Sequence, residues 1–291
     1  MIKRLALPLL ISALFLFLFL YLIPFKEITT LISSIEGKEL LGAFLLYTLS
    51  QITRSLRWKI LLRELSLVEA YLINSANIFL NNLLPARTGE LSWFYYAKRL
   101  GVELKSSLWS FFLGRLYDLL GLLLLFILSY AFNKSPVLII LSLLGLLGFS
   151  LLLPMVCVVI PSVGKLIEFK SFLKRELTPS LSLKLSLLST LSFFLKALSL
   201  FILMSGYLSL DFFKFSFAFA GGELTTILPV HGFMGFGTYE AGFLLPLKVM
   251  GEEFKEGLKV GFAVHTFLLL ASAFWGLISI LLLHTLSRKY P

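Results

Sequence analysis

The sequence predicts an all-α polytopic membrane protein, and three observations carry that expectation. Hydrophobic residues make up 58% of the chain and charged residues 14%, with a mean hydropathy of +0.93, whereas a soluble domain carries roughly 25% charge. Apolar runs at residues 5–23, 136–160 and 262–283 reach or pass the roughly 20 residues that a helix needs to cross about 30 Å of hydrocarbon. The lysines and arginines flank those runs instead of gathering on one face, so the net charge of +10 reads as topology signals and headgroup contacts, not as a nucleic-acid footprint. With nearly all residues in or against the bilayer, no separate soluble catalytic domain is expected.

Hydropathy places six full spans, at residues 5–24, 40–58, 106–132, 137–160, 184–207 and 257–284. The first follows Lys3 and Arg4 as a secretory signal would, but its length and the absence of a small-residue cleavage site before Lys26 make it a retained helix. Between the second and third spans, an apolar element at 68–84 breaks at 85–89 and resumes at 90–97. Between the fifth and sixth, an element at 215–228 breaks at 229–237 and resumes at 238–249. Each half is short for a crossing, so both are expected to be re-entrant helical hairpins. Residues 165–175 form a basic interfacial segment. With both termini cytoplasmic, sixteen lysines and arginines, Arg54 and Arg57 among them, fall on inner segments and seven on outer ones. Arg87, Arg115 and Lys196 then lie within the membrane of a multi-pass protein of the plasma membrane.

The chain also matches itself. At an offset of 144, Ala76, Leu80, Leu84 and Pro85 fall on Ala220, Leu224, Leu228 and Pro229. After a six-residue insertion the offset is 150, and Glu90, Gly101, Glu103, Lys105 and Phe112 fall on Glu240, Gly251, Glu253, Lys255 and Phe262, with Arg115 on His265. Residues 1–133 and 134–291 are therefore expected to be two copies within a single membrane domain. Three spans per copy make the second copy inverted, an architecture of many secondary transporters.

Charges inside hydrocarbon cost about 2.5–3.5 kcal/mol each on insertion scales, so they pair or line a wet cavity. In the first hairpin Asn81, Asn82, Pro85, Arg87, Thr88, Gly89 and Glu90 cluster at the break. A short helix starting near Glu90 would present free N–H groups, and with the planar fork of Arg87 this favours an anion; the simpler alternative is an interfacial Arg87 paired with Glu90. Arg115 and Asp118 share a helix face, either as a mutual ion pair or with Asp118 orienting Arg115 toward a headgroup. The second break gathers Gly221, Gly222, Glu223, Pro229, His231, Gly232, Gly235, Gly237, Thr238 and Glu240, where glycines permit close backbone approach or simply helix packing. Lys196 either binds an acid such as Glu223 or merely faces the bundle. Dinucleotide, zinc and Ser/His/Asp patterns are missing, no ATP-binding motif occurs, and the one cysteine, Cys157, allows no disulfide. No cofactor or metal is expected.

The run Asn81-Asn82-Leu83-Leu84-Pro85-Ala86-Arg87-Thr88-Gly89-Glu90, the Arg115 and Asp118 pair, and Gly235-Phe236-Gly237-Thr238-Tyr239-Glu240 together resemble the flippase-like transmembrane region of lysylphosphatidylglycerol synthases and their stand-alone relatives. The resemblance covers nearly the whole chain and departs at His231, Phe233 and Met234, where the family shows a plainer Pro-Gly-Gly-rich turn. It implies a lipid-handling membrane domain, which in the synthases moves aminoacylated phosphatidylglycerol between leaflets. The soluble aminoacyl-transfer domain of those enzymes is not expected here, since the sequence stops at Pro291.

The expected function is a lipid flippase or lipid-binding transporter for an anionic or phosphate-bearing amphiphile, including polyprenyl phosphates. Its substrate residues would be Asn81, Asn82, Arg87, Glu90, Arg115, Asp118, Glu223, His231, Thr238 and Glu240, and its hairpin breaks Pro85, Gly89, Pro229, Gly235 and Gly237. Transport would be downhill or ion-coupled, with Glu90 and Glu240 as proton sites. Membrane lipids are the expected partners, nucleic acid is not, and a homo-oligomer is left open. Two alternatives stand beside it. One is a membrane enzyme or enzyme subunit for aminoacyl or glycosyl transfer to lipid-linked substrates, using Glu223, Glu240 and His231; the other is a small-solute secondary transporter.

Overall fold

A computed structural model describes residues 2–159, 163–227 and 232–286. Among the described residues there are twelve α-helices and no strand. The first six are α1 (Ile2–Leu22), α2 (Phe25–Ser33), α3 (Gly37–Leu61), α4 (Leu67–Leu83), α5 (Leu91–Arg99) and α6 (Leu104–Phe132). The second six are α7 (Pro136–Val159), α8 (Lys165–Glu176), α9 (Pro179–Leu203), α10 (Phe212–Thr225), α11 (Thr238–Val249) and α12 (Phe254–Leu286). The helix starts are written in the sequence: Ser66 and Glu69 form a capping box on α4, Asp211 caps α10, and Thr178 followed by Pro179 opens α9.

Four helices, α6, α7, α9 and α12, are long and apolar enough to cross a bilayer; α1 and α2, bent by 88° at their junction, make a fifth if joined. Six were expected. α3 has the length, 25 residues, but Ser50, Gln51, Arg54 and Arg57 interrupt its apolar character. α7 carries Val137, Ile140, Leu141 and Leu144 more than half exposed, a surface suited to lipid and costly in water.

Both expected breaks fold back as hairpins. A 3-10 turn, Pro85–Glu90, joins α4 to α5, and the Asn77 amide donates to the Gly89 carbonyl at 3.1 Å. Gly89 is pressed against α4: a Cβ there would lie 2.3 Å from the backbone of Leu80 and Asn81. In the second hairpin α10 and α11 cross at Gly221 and Gly242, where a Cβ on Gly221 would lie 2.4 Å from the Gly242 carbonyl oxygen. Leu228, Pro229 and His231 lie outside the described residues; the chain resumes at Gly232 and a short 3-10 turn, Phe233–Gly235, leads into α11. Gly235 and Gly237 take φ of 87° and 88°, a region that a side chain disfavours.

The order long helix, short helix, long helix, hairpin, long helix occurs twice. The junctions after the hairpins also match. Gly101 and Gly251, with φ of 85° and 82°, close the same turn: the Val102 and Glu252 amides return to the Ala97 and Leu247 carbonyls, each at 3.0 Å. Between the halves, α3 lies along α9, α4 packs on α12 and α10 packs on α6. The central core they share includes Tyr47, Leu200, Phe215, Phe219, Phe243 and Val264.

Two arginines expected on the cytoplasmic flank are instead inside this bundle. Arg54 and Arg57 of α3, with side chains 14% and 0% exposed, each reach Asp118 of α6 at 2.5 Å. Arg57 also donates to the Ser189 hydroxyl of α9 at 2.6 Å, so one buried carboxylate ties α3 and α6 together and, through Arg57, holds α9. Helical spacing explains it: Gln51, Arg54 and Arg57 are three apart and form one inward stripe.

Asp118→Asn leaves two enclosed guanidiniums without a counter-charge, and the expected loss of unfolding free energy is about 3–5 kcal/mol, measured by denaturation in detergent. Gly89→Ala should abolish the closed hairpin, whereas Gly101→Ala, where nothing lies within 4 Å, should cost about 1–2 kcal/mol from backbone conformation alone. Equal effects of the two alanines on thermal unfolding would contradict the close approach at Gly89.

Candidate functional site

The hairpins and interior stretches of α3, α6, α9 and α12 line a cavity of about 480 Å³. Asn81, Asn82, Arg87 and Glu90 reach it from the first hairpin, Glu223 and Thr238 from the second, and Arg115 and Asp118 from α6. Eight of the ten substrate residues expected from the sequence thus share one wall. His231 lies outside the described residues. Glu240 stands behind the wall, fully buried, with His265 in front of it.

Arg87 sits at the tip of the first hairpin with φ of 57°, an uncommon conformation for a side chain of this size. Three hydrogen bonds hold it there. Its Nε (3.0 Å) and one terminal nitrogen donate to Glu90, and the other terminal nitrogen donates to the Thr226 carbonyl at 2.8 Å. That carbonyl caps the end of α10, so Arg87 joins the two hairpins where a helix dipole favours a cation. The interfacial pairing of Arg87 with Glu90 is present, yet it forms part of the cavity.

Arg115 lies 3.2 Å from Glu90 and 3.8 Å from Asp118, with Asn77 Oδ1 at 3.4 Å and the Phe111 ring beneath it at 4.9 Å. The expected pair of Arg115 with Asp118 is present, but it is shared: Arg54 and Arg57 hold Asp118 more closely, and Glu90 is the nearer acid to Arg115. The expected array of free N–H groups opening α5 is corrected. The 3-10 turn runs directly into α5, and the Leu91 amide is used by the Gly89 and Thr88 carbonyls. Cationic side chains, not a helix end, supply the positive character.

Lys196 of α9 bonds Glu223 at 2.8 Å. Asn82 donates to Ser272 of α12 at 3.0 Å, and Thr238 donates to the Gly235 carbonyl at 2.9 Å, pinning the second turn. His265 Nδ1 lies 2.7 Å from Glu240, whose other oxygen accepts the Gly237 amide at 2.7 Å; the imidazole stacks on Tyr239 at 4.5 Å. Sequence reasoning missed Arg54, Tyr47 and His265 in the cavity wall. The three-residue spacing of Gln51, Arg54 and Arg57 was the signal for the first, and the match of Arg115 with His265 at the offset of 150 was the signal for the third.

In the wall, Arg54, Arg87, Arg115 and Lys196 face Glu90, Asp118 and Glu223, one positive side chain in excess, and behind it Arg57 and Glu240 balance. Several polar atoms stay buried without a hydrogen-bond partner, among them Arg54 Nε, Arg115 Nε and Asn81 Oδ1. Apolar side chains line the cavity beside the charged ones: Phe112, Leu116, Leu119 and Ile227, of which Phe112 and Ile227 are exposed. The cavity thus combines charged and apolar lining. No group of His, Cys, Asp and Glu among the described residues is arranged to hold a metal.

No curated protein and no solved structure matches the chain. A family model described as the lysylphosphatidylglycerol synthase TM region matches residues 5–276 of 291. The chain is therefore a membrane protein belonging to the family of lysylphosphatidylglycerol synthase transmembrane regions.

Proposed function

We propose that this protein carries an anionic, phosphate-bearing amphiphile between membrane leaflets. One observation carries the reading: a cavity at the meeting of two hairpins is lined both by Arg54, Arg87, Arg115 and Lys196 and by the apolar Phe112, Leu116, Leu119 and Ile227. A phosphate-bearing headgroup would be held by Arg87, Arg115 and Lys196, with Arg54 behind, by charge-assisted hydrogen bonds. The acyl or prenyl chain would leave past the apolar residues into lipid. Membership of a family named for a lipid synthase supports this reading.

Movement would come from two inverted repeats, residues 1–133 and 134–291, rocking about the cavity with both termini cytoplasmic. The recurring helix order, the twin glycine turns at Gly101 and Gly251, and the paired acid–base contacts Glu90 with Arg115 and Glu240 with His265 support that arrangement. The Arg87 bond to the Thr226 carbonyl would be the contact that breaks when the hairpins part. A group-transfer enzyme receives less support: of the carboxylates expected for it, Glu240 is paired with His265 and Glu223 with Lys196.

In proteoliposomes holding fluorescent phosphatidylglycerol, wild type should move lipid between leaflets, measured by quenching of the outer leaflet. Arg87→Ala and Arg115→Ala should each slow it by about tenfold or more, the loss of a charge-assisted contact of about 1.5–3 kcal/mol. If no lipid moves, or if both variants keep the wild-type rate, the translocase reading is lost.

A further inference from the structure

We infer that His265 and Glu240 form a proton-binding site whose protonation is coupled to headgroup binding, making the protein a proton–lipid symporter. The inference rests on the headgroup reading above. Glu90 is held by Arg87 and Arg115, Asp118 by Arg54 and Arg57, and Glu223 by Lys196. These partners are residue types whose charge is fixed around neutral pH. Glu240 has a different partner, the imidazole of His265 at 2.7 Å, and histidine is the side chain whose ordinary charge change falls between about pH 5 and 8.

The geometry suits a proton acceptor at the cavity wall. Glu240 accepts at Nδ1, which directs the Nδ1 hydrogen toward the carboxylate and leaves Nε2 as the basic nitrogen. The Nε2 edge lies beside Gly235 in the wall, and a Cβ at Gly235 would stand 3.1 Å from Cε1 and Nε2. Glycine there keeps that edge uncovered. Tyr239 stacked on one side and Phe236 at 4.9 Å hold the ring in place.

The titratable and charged neighbours are Glu240 and Tyr239 on α11, Glu223 with Lys196 from α10 and α9, and Arg87, Glu90, Arg54, Arg115 and Asp118 across the cavity. Proton binding at Nε2 turns the His265–Glu240 unit from net negative to neutral and adds one positive charge beside the headgroup. An anion then binds more tightly, and by linkage the bound anion raises the proton affinity by the same factor. Bound together, the two move together, so a proton gradient drives lipid in the direction of proton flow. The first half supplies the matching place with a fixed charge: Arg115 and Glu90 occupy the positions of His265 and Glu240 at the offset of 150.

Calorimetric titration of the purified full chain with dioctanoyl phosphatidylglycerol, in buffers of differing ionisation enthalpy, tests this. Its phosphodiester does not titrate in the range concerned. Wild-type affinity should rise as pH falls from about 8 to 5, with uptake of up to about one proton per lipid. His265→Arg should bind tightly with no uptake and no pH dependence, and His265→Gln weakly with no uptake. Lipid binding by wild type with equal affinity at both ends of that range, or pH dependence retained in His265→Arg and His265→Gln, overturns the coupling and leaves the headgroup reading intact. Failure of wild type to bind lipid at any pH overturns both.

Discussion

Asp118 and its two arginines set the conditions for everything around them. A carboxylate enclosed among helices is tolerable only with its charge compensated and its oxygens satisfied, and Arg54 and Arg57 each give it a contact of 2.5 Å. Because the arginines sit on α3, the acid on α6 and the Ser189 hydroxyl on α9, the cluster fixes these helices in register. Trp58 and Gly114 then pack with almost no clearance, a Cβ on Gly114 falling 2.3 Å from the indole. The same cluster leaves Arg115 to Glu90 and the cavity, so a structural ion network and a ligand-facing one share α6 without sharing an acid as their main partner.

The two hairpins solve the same problem with different materials. A break at membrane depth must satisfy its backbone within the protein or line a polar cavity. The first does so with Asn77 on the Gly89 carbonyl; the second does so with Arg87 of the first hairpin on the Thr226 carbonyl, Thr238 on the Gly235 carbonyl and Glu240 on the Gly237 amide. Between them lies the cavity, lined by both hairpins. Apolar lining at Phe112 and Ile227 gives the space a second chemistry beside its charges.

Matching positions in the two halves have diverged in one respect that bears on energetics. Glu90 faces guanidinium groups, whereas Glu240 faces an imidazole. Guanidinium is a group of fixed charge around neutral pH, whereas imidazole is the side chain whose ordinary charge change falls there, and the coupling inferred above rests on that difference between the two positions.

Composition and periodicity by themselves determined that the chain is helical and bound for a membrane, where its helices break, and which residues gather at the breaks, because apolar run length, proline and glycine act locally along the chain. The expected breaks at 85–89 and 229–237 overlap the turns Pro85–Glu90 and Phe233–Gly235, and eight of ten expected substrate residues face one cavity. Partner choice was not legible there. Arg54 and Arg57 looked like flanking charges because hydropathy sees only the composition of α3, not the carboxylate that α6 brings to it. Glu240 looked like a ligand contact because its neighbour His265 is 25 residues away in sequence and 2.7 Å away in space. Only the packing of α3, α6, α11 and α12 decided which acid met which base, since ion pairing depends on distances that the order of residues does not contain.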